Sequence, residues 1–286
     1  METKKYFLTQ VILCLFVILL LVNFAQAETT NCTAITSLPY TISSQGTYCL
    51  NGNLSTNMTS DNAITINTGN VVLDLNGYTI GGSQAGTGTQ AIGIYAFYRK
   101  NITIRNGTVR GFFRGIWLED SSPYTTSQGH IIEDIRADRN TQNGIMVEGL
   151  GNIIRNNLVL STGGNSSYPS FNGIYVLGPG NRVINNDVYE TKEQGTVWAC
   201  GIYANSTSGL VVENNRMGNA AFGTGYSAGI YIQASANAMV KDNTISKMNY
   251  GIYYDNSTGL YMNNLASGCG AAFTNGTPAD TTNYSN

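Results

Sequence analysis

The sequence predicts an all-β solenoid, a coiled ribbon of short parallel strands with three strands to each coil. Three observations predict it. The dipeptide Gly-Ile recurs seven times, opening at Gly93, Gly115, Gly144, Gly173, Gly201, Gly229 and Gly251, at intervals of 22, 29, 29, 28, 28 and 22 residues. A unit this short cannot bury a core alone, so a fixed short period marks stacked repeats. Within each repeat, three runs of β-branched and aromatic residues are separated by Gly or Asn turns, with no apolar stripe of helical period.

Residues 1–27 read as a secretory signal rather than as fold. Lys4 and Lys5 precede an apolar run from Val11 to Val22, which ends in Ala25-Gln26-Ala27, the pattern of a cleaved leader. The run is too short for a comfortable membrane span. A secreted or periplasmic protein with no remaining membrane span is expected, and a monomer. Residues 28–60 lack the repeat and read as an N-terminal cap, which a solenoid needs to cover its strand edges. Cys32 and Cys49 bracket this segment, and export makes a disulfide between them the expectation. The repeat occupies residues 61–270, and residues 271–286 read as a loose C-terminal tail. Cys200 and Cys269 fall in coils too far apart to be bridged and are expected free and buried.

Composition limits the partners. Lys and Arg number 15 against 17 Asp and Glu, and charged residues make up only 11% of the chain. There is no basic stripe, which argues against nucleic acid.

The shortest coil, Gly229 to Tyr250, shows the register. Ile230 and Ile232 share one strand face, Tyr231 and Gln233 the other. Met239 and Val240 form a second strand, Asp242-Asn243 a turn, and Ile245 a third strand. The same positions elsewhere hold Ile104, Ile132, Ile154, Val183 and Val212, and Val109, Ala137, Val159, Val188 and Met217. Stacked, these are aliphatic columns inside a tube. The turn forms a column of its own: Asn106, Asp134, Asn156, Asn185, Asn214, Asp242 and Asn263. Gly or Asn usually follows, and both tolerate the left-handed backbone a tight bend needs. Stacked Asn amides can also bond from coil to coil. The two turn aspartates admit a calcium ion as the one candidate cofactor, against a structural role in the turn column.

The Gly-Ile-Tyr openings, the Asn turns and the segment Val71-Val72-Leu73-Asp74-Leu75-Asn76-Gly77-Tyr78-Thr79-Ile80 resemble the right-handed parallel β-helix repeat proteins. That superfamily includes the pectate lyases and the repeat proteins of nitrous-oxide-reductase maturation loci. The resemblance covers roughly residues 61 to 270. It implies a right-handed parallel β-helix of about eight coils. The scaffold hosts lyases, hydrolases, epimerases and adhesins, so it does not choose an activity. The clustered Asp pairs and His-Gly of polygalacturonase-type members are absent. So are the Arg-rich constellation of the pectate lyases and the Asp-Pro-His of alginate epimerases. No Met/His/Cys cluster suits copper delivery.

Two residues after each repeat glycine come Tyr95, Trp117, Met146, Tyr175, Tyr203, Tyr231 and Tyr253, an outward aromatic column. It reads either as cross-strand packing or as a platform for sugars, whose faces suit flat amphipathic rings. The extra residues of the longer coils flank this strand, at 121–127, 164–171, 192–198 and 221–226, and insertions on one face of a solenoid usually mark its binding face. They add Tyr168, Trp198, Phe222 and Tyr226. Glu119 and Glu148 fall on adjacent coils beside the column, so one carboxyl should hold its proton more tightly. That is the arrangement of a glycoside-cleaving pair, with Asp120 adjoining and Arg99 one coil below. The alternative is a solvated acidic edge. His130, the only histidine, reads as structural. The expected function is thus binding of a polysaccharide or cell-surface glycan in an aromatic groove. The alternative is a polysaccharide lyase or glycoside hydrolase using Glu119 and Glu148.

Overall fold

The computed structural model describes residues 31–164, 170–192, 198–221 and 225–285. The leader of residues 1–27, Tyr168 and Phe222 lie outside the described residues. Residues Asn31–Asn286 form one compact unit, a parallel β-helix. One ten-stranded sheet carries the Gly-Ile strands, from Tyr40–Ile42 to Ala271–Thr274, each paired in parallel with its neighbours. The remaining strands form a second, nineteen-stranded parallel sheet. The single helical element among the described residues is a 3-10 turn at Ser83–Ala85. No helix there is long and apolar enough to cross a membrane.

The aliphatic columns are the core. Ile94, Ile116, Ile145, Ile174, Ile202, Ile230 and Ile252 pair in sequence along the ten-stranded sheet and are buried, as are the Ile104 and Val109 columns.

The repeat glycine is demanded by close approach. A Cβ on Gly173 would lie 2.3 Å from Val188 Cγ1 and 2.7 Å from the carbonyl oxygen of Gly201. Gly144 meets Val159 and the Gly173 carbonyl in the same way, and Gly229 meets Ile245 and the Gly251 carbonyl. The strand bends here. Ladder pairs skip the glycine, running Asn172↔Cys200 and then Ile174↔Ile202. Glycine and the following Ile therefore both face the interior, and the residue before the glycine faces outward.

The Asn turns divide their work between two residues. The first takes the left-handed conformation: Asn156, Asn185, Asn214, Asp242 and Asn263 all have φ between 51° and 59°. The second supplies a buried amide column. Asn157 Nδ2 donates to Asn186 Oδ1 (3.0 Å), Asn186 to Asn215 (3.0 Å), Asn215 to Asn243 (3.0 Å) and Asn243 to Asn264 (3.0 Å). The same oxygens accept the preceding coil's backbone N–H at this turn. The buried column thus runs one residue later than the turn positions singled out from the sequence. The second residue's side chain points inward, where backbone groups freed by the bend need partners. Asp134 and Asp242 occupy left-handed turn positions, and no group of three or more metal-ligating side chains converges among the described residues.

The stack extends past both limits expected from the repeat. Within residues 28–60, strands Tyr40–Ile42, Gly46–Leu50 and Leu54–Ser55 pair in parallel with the next coil. Ile35, Ile42 and Leu50 lie fully buried. At the other end, Ala271–Thr274, Thr277–Pro278 and Tyr284–Ser285 continue the same columns. Coil formation needs the inward aliphatics and the turn, and it proceeds without a Gly-Ile pair. Cys32 and Cys49 are disulfide-bonded. Cys200 is free and buried, whereas Cys269 is only half-buried because it lies near the end of the tube.

Candidate functional site

At four places the outward strip of the ten-stranded sheet repeats one hydrogen-bonding pattern. The aromatic two residues after a repeat glycine donates to the polar side chain four residues after the next glycine. Tyr95 Oη donates to Glu119. Trp117 Nε1 donates to Glu148 Oε1 at 2.9 Å. Tyr203 Oη donates to Gln233, and Tyr231 Oη to Asp255 Oδ2 at 2.7 Å.

The rings themselves are packed on one another. Tyr175 and Tyr203 lie 4.6 Å apart, Tyr203 and Tyr231 5.1 Å, and Tyr231 and Tyr253 5.2 Å, all within 18° of parallel. Trp198 stacks on Tyr226, Tyr231, Tyr250 and Tyr253. Cross-strand packing thus accounts for Tyr203 and Tyr231, whose faces are covered by neighbours. Tyr226, half-exposed, closes the outer end of the Trp198 stack.

The carboxylates sit beside Trp117, where Met146 interrupts the aromatic column. Glu148 is 6% exposed and accepts Trp117 Nε1–H and the backbone N–H of Asp120 (3.2 Å). Burial pushes its carboxyl above the usual range. The two N–H donors and Arg114 pull it back, and the Glu119 charge adds to the rise. The expected raised carboxyl is Glu148, and loss of solvation is the larger cause, ahead of like charge. Glu119 lies one position beyond the Leu118↔Val147 pair on the neighbouring strand.

Two of the four expected catalytic residues have other work. Asp120 is buried and accepts the backbone N–H groups of Ser121 (2.8 Å), Thr126 (2.9 Å) and Ser127 (2.9 Å). These bonds hold the 121–127 turn and occupy both oxygens of Asp120. Arg99 is turned to Asn67 on the preceding coil. The cation at the site is Arg114, whose guanidinium lies 3.9 Å over the Trp117 ring and donates to Gln142 Oε1 at 2.8 Å. It holds down the acidity shifts of Tyr95, Glu148 and Tyr175. Tyr124, on the Ser121–Ser127 loop, feels the Glu148 and Asp120 charges, and burial with those charges raises its hydroxyl above the ordinary value. It packs against Gly178, where a Cβ would meet Tyr124 Cβ at 2.7 Å.

Strict alternation counted forward from glycine misses Arg114, because the bend at glycine places two successive residues inside. The same bend turns Asn143, Asn172 and Cys200 to the outer face. His130 is 1% exposed. Its Nδ1 accepts the Ile102 N–H (3.2 Å) and its Nε2 meets Ser127 Oγ (2.8 Å). Burial lowers its imidazole to about 4, so it is a neutral structural residue inside the tube.

A family model described as the right handed beta helix region matches residues 124–285, more than half of the chain. The chain belongs to that family. Comparison with curated protein sequences gives no significant match. Among solved structures, the enzymatically active domain of the bacteriophage CBA120 tailspike protein 2 superposes with a TM-score of 0.62 at 16% identity, covering 89% of this chain and 42% of that one. The full-length tailspike protein 2 of an Escherichia coli O157:H7 bacteriophage gives 0.61 at 15% identity, covering 89% and 38%. The Dettilon tailspike protein gives 0.61 at 14% identity, covering 82% and 47%. This chain spans less than half the length of each. At these identities the likeness shows a shared right-handed β-helix.

Proposed function

We propose that this is an exported β-helix protein that binds a polysaccharide or cell-surface glycan along the outward strip of its Gly-Ile strands. One observation carries the reading: in two stretches of the strip, Tyr95 to Glu148 and Tyr203 to Asp255, rings are hydrogen-bonded to polar side chains of the next coil, with the apolar Met146 and Leu177 between the stretches. Such a surface is amphipathic and already ordered, so little entropy is lost when an extended hydroxyl-rich chain docks on it. The faces of the stacked rings are covered, and recognition rests on their hydroxyls and the acceptors beside them. The tailspike likeness supports the scaffold alone, and the binding role rests on the strip.

The pairing of Glu148, held towards its protonated form, with Glu119 favours a second reading, a lyase or glycoside hydrolase. A buried carboxyl that keeps its proton is a general acid in waiting, and the neighbouring carboxylate supplies a base or nucleophile. Incubation with a panel of uronate-containing and neutral polysaccharides separates the two, following binding, reducing-end release and ultraviolet absorbance of unsaturated ends. Binding without turnover is expected. Turnover abolished by Glu119→Gln and Glu148→Gln would establish the enzyme instead, and failure to bind any glycan would sink both.

A further inference from the structure

We propose that a cavity of 230 Å³ beside the Tyr203–Tyr231 stack is a subsite for one neutral sugar ring; this rests on the glycan-binding reading above. Ser170, Asn172, Trp198, Tyr203 and Gln233 line it, with Cys200 at its floor. The volume falls below the roughly 300–1,000 Å³ typical of drug-sized ligands, which suits a single ring and not a longer segment.

The cavity has an unmet need. Asn172 is 1% exposed, and its Oδ1 has no hydrogen-bond partner. The orientation of that amide is dictated from the charged end of the groove. A guanidinium can only donate, so Arg114 fixes Gln142 Oε1 as an acceptor (2.8 Å). Asn143 Nδ2 donates to the same oxygen (3.4 Å), which leaves Asn143 Oδ1 to accept Asn172 Nδ2 (3.0 Å). The chain of amides therefore ends on an unpaired carbonyl oxygen, buried just beneath the cavity lining. A buried acceptor without a donor is costly, and a ligand O–H or N–H would remove that cost.

The lining also decides charge. Among the described residues it contains no carboxylate, ammonium or guanidinium, and burial makes Cys200, Tyr203 and Tyr231 weaker acids, keeping them protonated. A uronate carboxylate entering here would lose its hydration with no cation to replace it. The strip thus has one end with Glu119, Glu148 and Arg114, and at the cavity an end whose adjoining charge is the Asp255 carboxylate bonded to Tyr231 and Gln233, which disfavours an anion further.

The protein is titrated with methyl glucoside, methyl galactoside, methyl mannoside and methyl glucuronide, by calorimetry and by tryptophan emission, since Trp198 lines the cavity. At least one neutral glycoside is expected to bind at least tenfold more tightly than the glucuronide. Asn172→Leu and the rim substitution Ser170→Leu should each weaken it about tenfold, the loss of one hydrogen bond. If Asn172→Leu does not fold, Ser170→Leu decides. Neutral binding untouched by the substitution that folds, preference for the glucuronide, or binding of polysaccharide with no short glycoside bound would overturn the subsite while leaving the groove intact. No binding of glycosides or polysaccharides would remove both.

Discussion

The indole Nε1 of Trp117 and the carboxylate of Glu148, 2.9 Å apart on adjacent coils, join the aromatic strip to a buried acid. The indole proton therefore reports that acid's titration. With two tryptophans in the chain, the Trp117 indole resonance is expected to move with pH above the ordinary carboxylate range, and the Trp198 resonance to stay still. A Trp117 signal that titrates within the ordinary range would show that burial does not govern Glu148.

Arg114→Gln removes the cation that lowers the Glu148 proton affinity. The Trp117 titration should then shift to higher pH. A group raised in the folded state stabilises below its unfolded value, and that contribution is lost as pH rises through the folded value. Glu148→Gln should accordingly melt at or above the temperature of the parent at pH 7, and lose this part of the pH dependence. A drop of several degrees at pH 7 with an unchanged profile would contradict it.

His130 gives the opposite sign. Its folded value, about 4, lies below the ordinary 6.5, so its contribution is present above pH 6.5 and is lost as pH falls towards 4. The shift corresponds to up to about 3 kcal/mol. Urea unfolding between pH 7 and 4 should show this loss, and His130→Gln should flatten it.

The two residues of an Asn turn should respond differently. Asn185 has φ 57° on a turn, and Asn185→Gly should change stability by less than about 1 kcal/mol. Asn186 accepts and donates across two coils at 2.9–3.1 Å. Asn186→Leu strands several buried polar groups, at about 1–3 kcal/mol each. Equal effects on the urea midpoint would remove the division of labour.

Gly173→Ala should cost at least about 3 kcal/mol, since the added carbon meets both a core side chain and a backbone carbonyl. Gly52→Ala, where a Cβ meets nothing within 4 Å, should be neutral. Paired denaturation curves check this.

Fold was legible because its determinants are local and periodic: Ile104 and its column mates sit inside as spacing required. The site was legible in part. Glu119 and Glu148 fall beside each other because both lie four residues after a repeat glycine. The bonds from Thr126 and Ser127 to Asp120 were not legible, because they belong to loop geometry that spacing does not encode. Arg114 was missed because alternation breaks at glycine, a packing constraint visible only once Val188 and its equivalents occupy the space a Cβ would need.

The unequal coil lengths carry a further consequence for how the chain assembles. Neighbouring strands present nearly the same face, Ile over Ile and Tyr over Tyr, so a strand docked one coil out of place would find much the same partners. Intervals that change from 22 to 29, 28 and back to 22 residues along the tube mark where in the stack a coil belongs. A misplaced strand must stretch or crumple the segment behind it, and the wrong stacking is rejected by chain length before any side chain is tested.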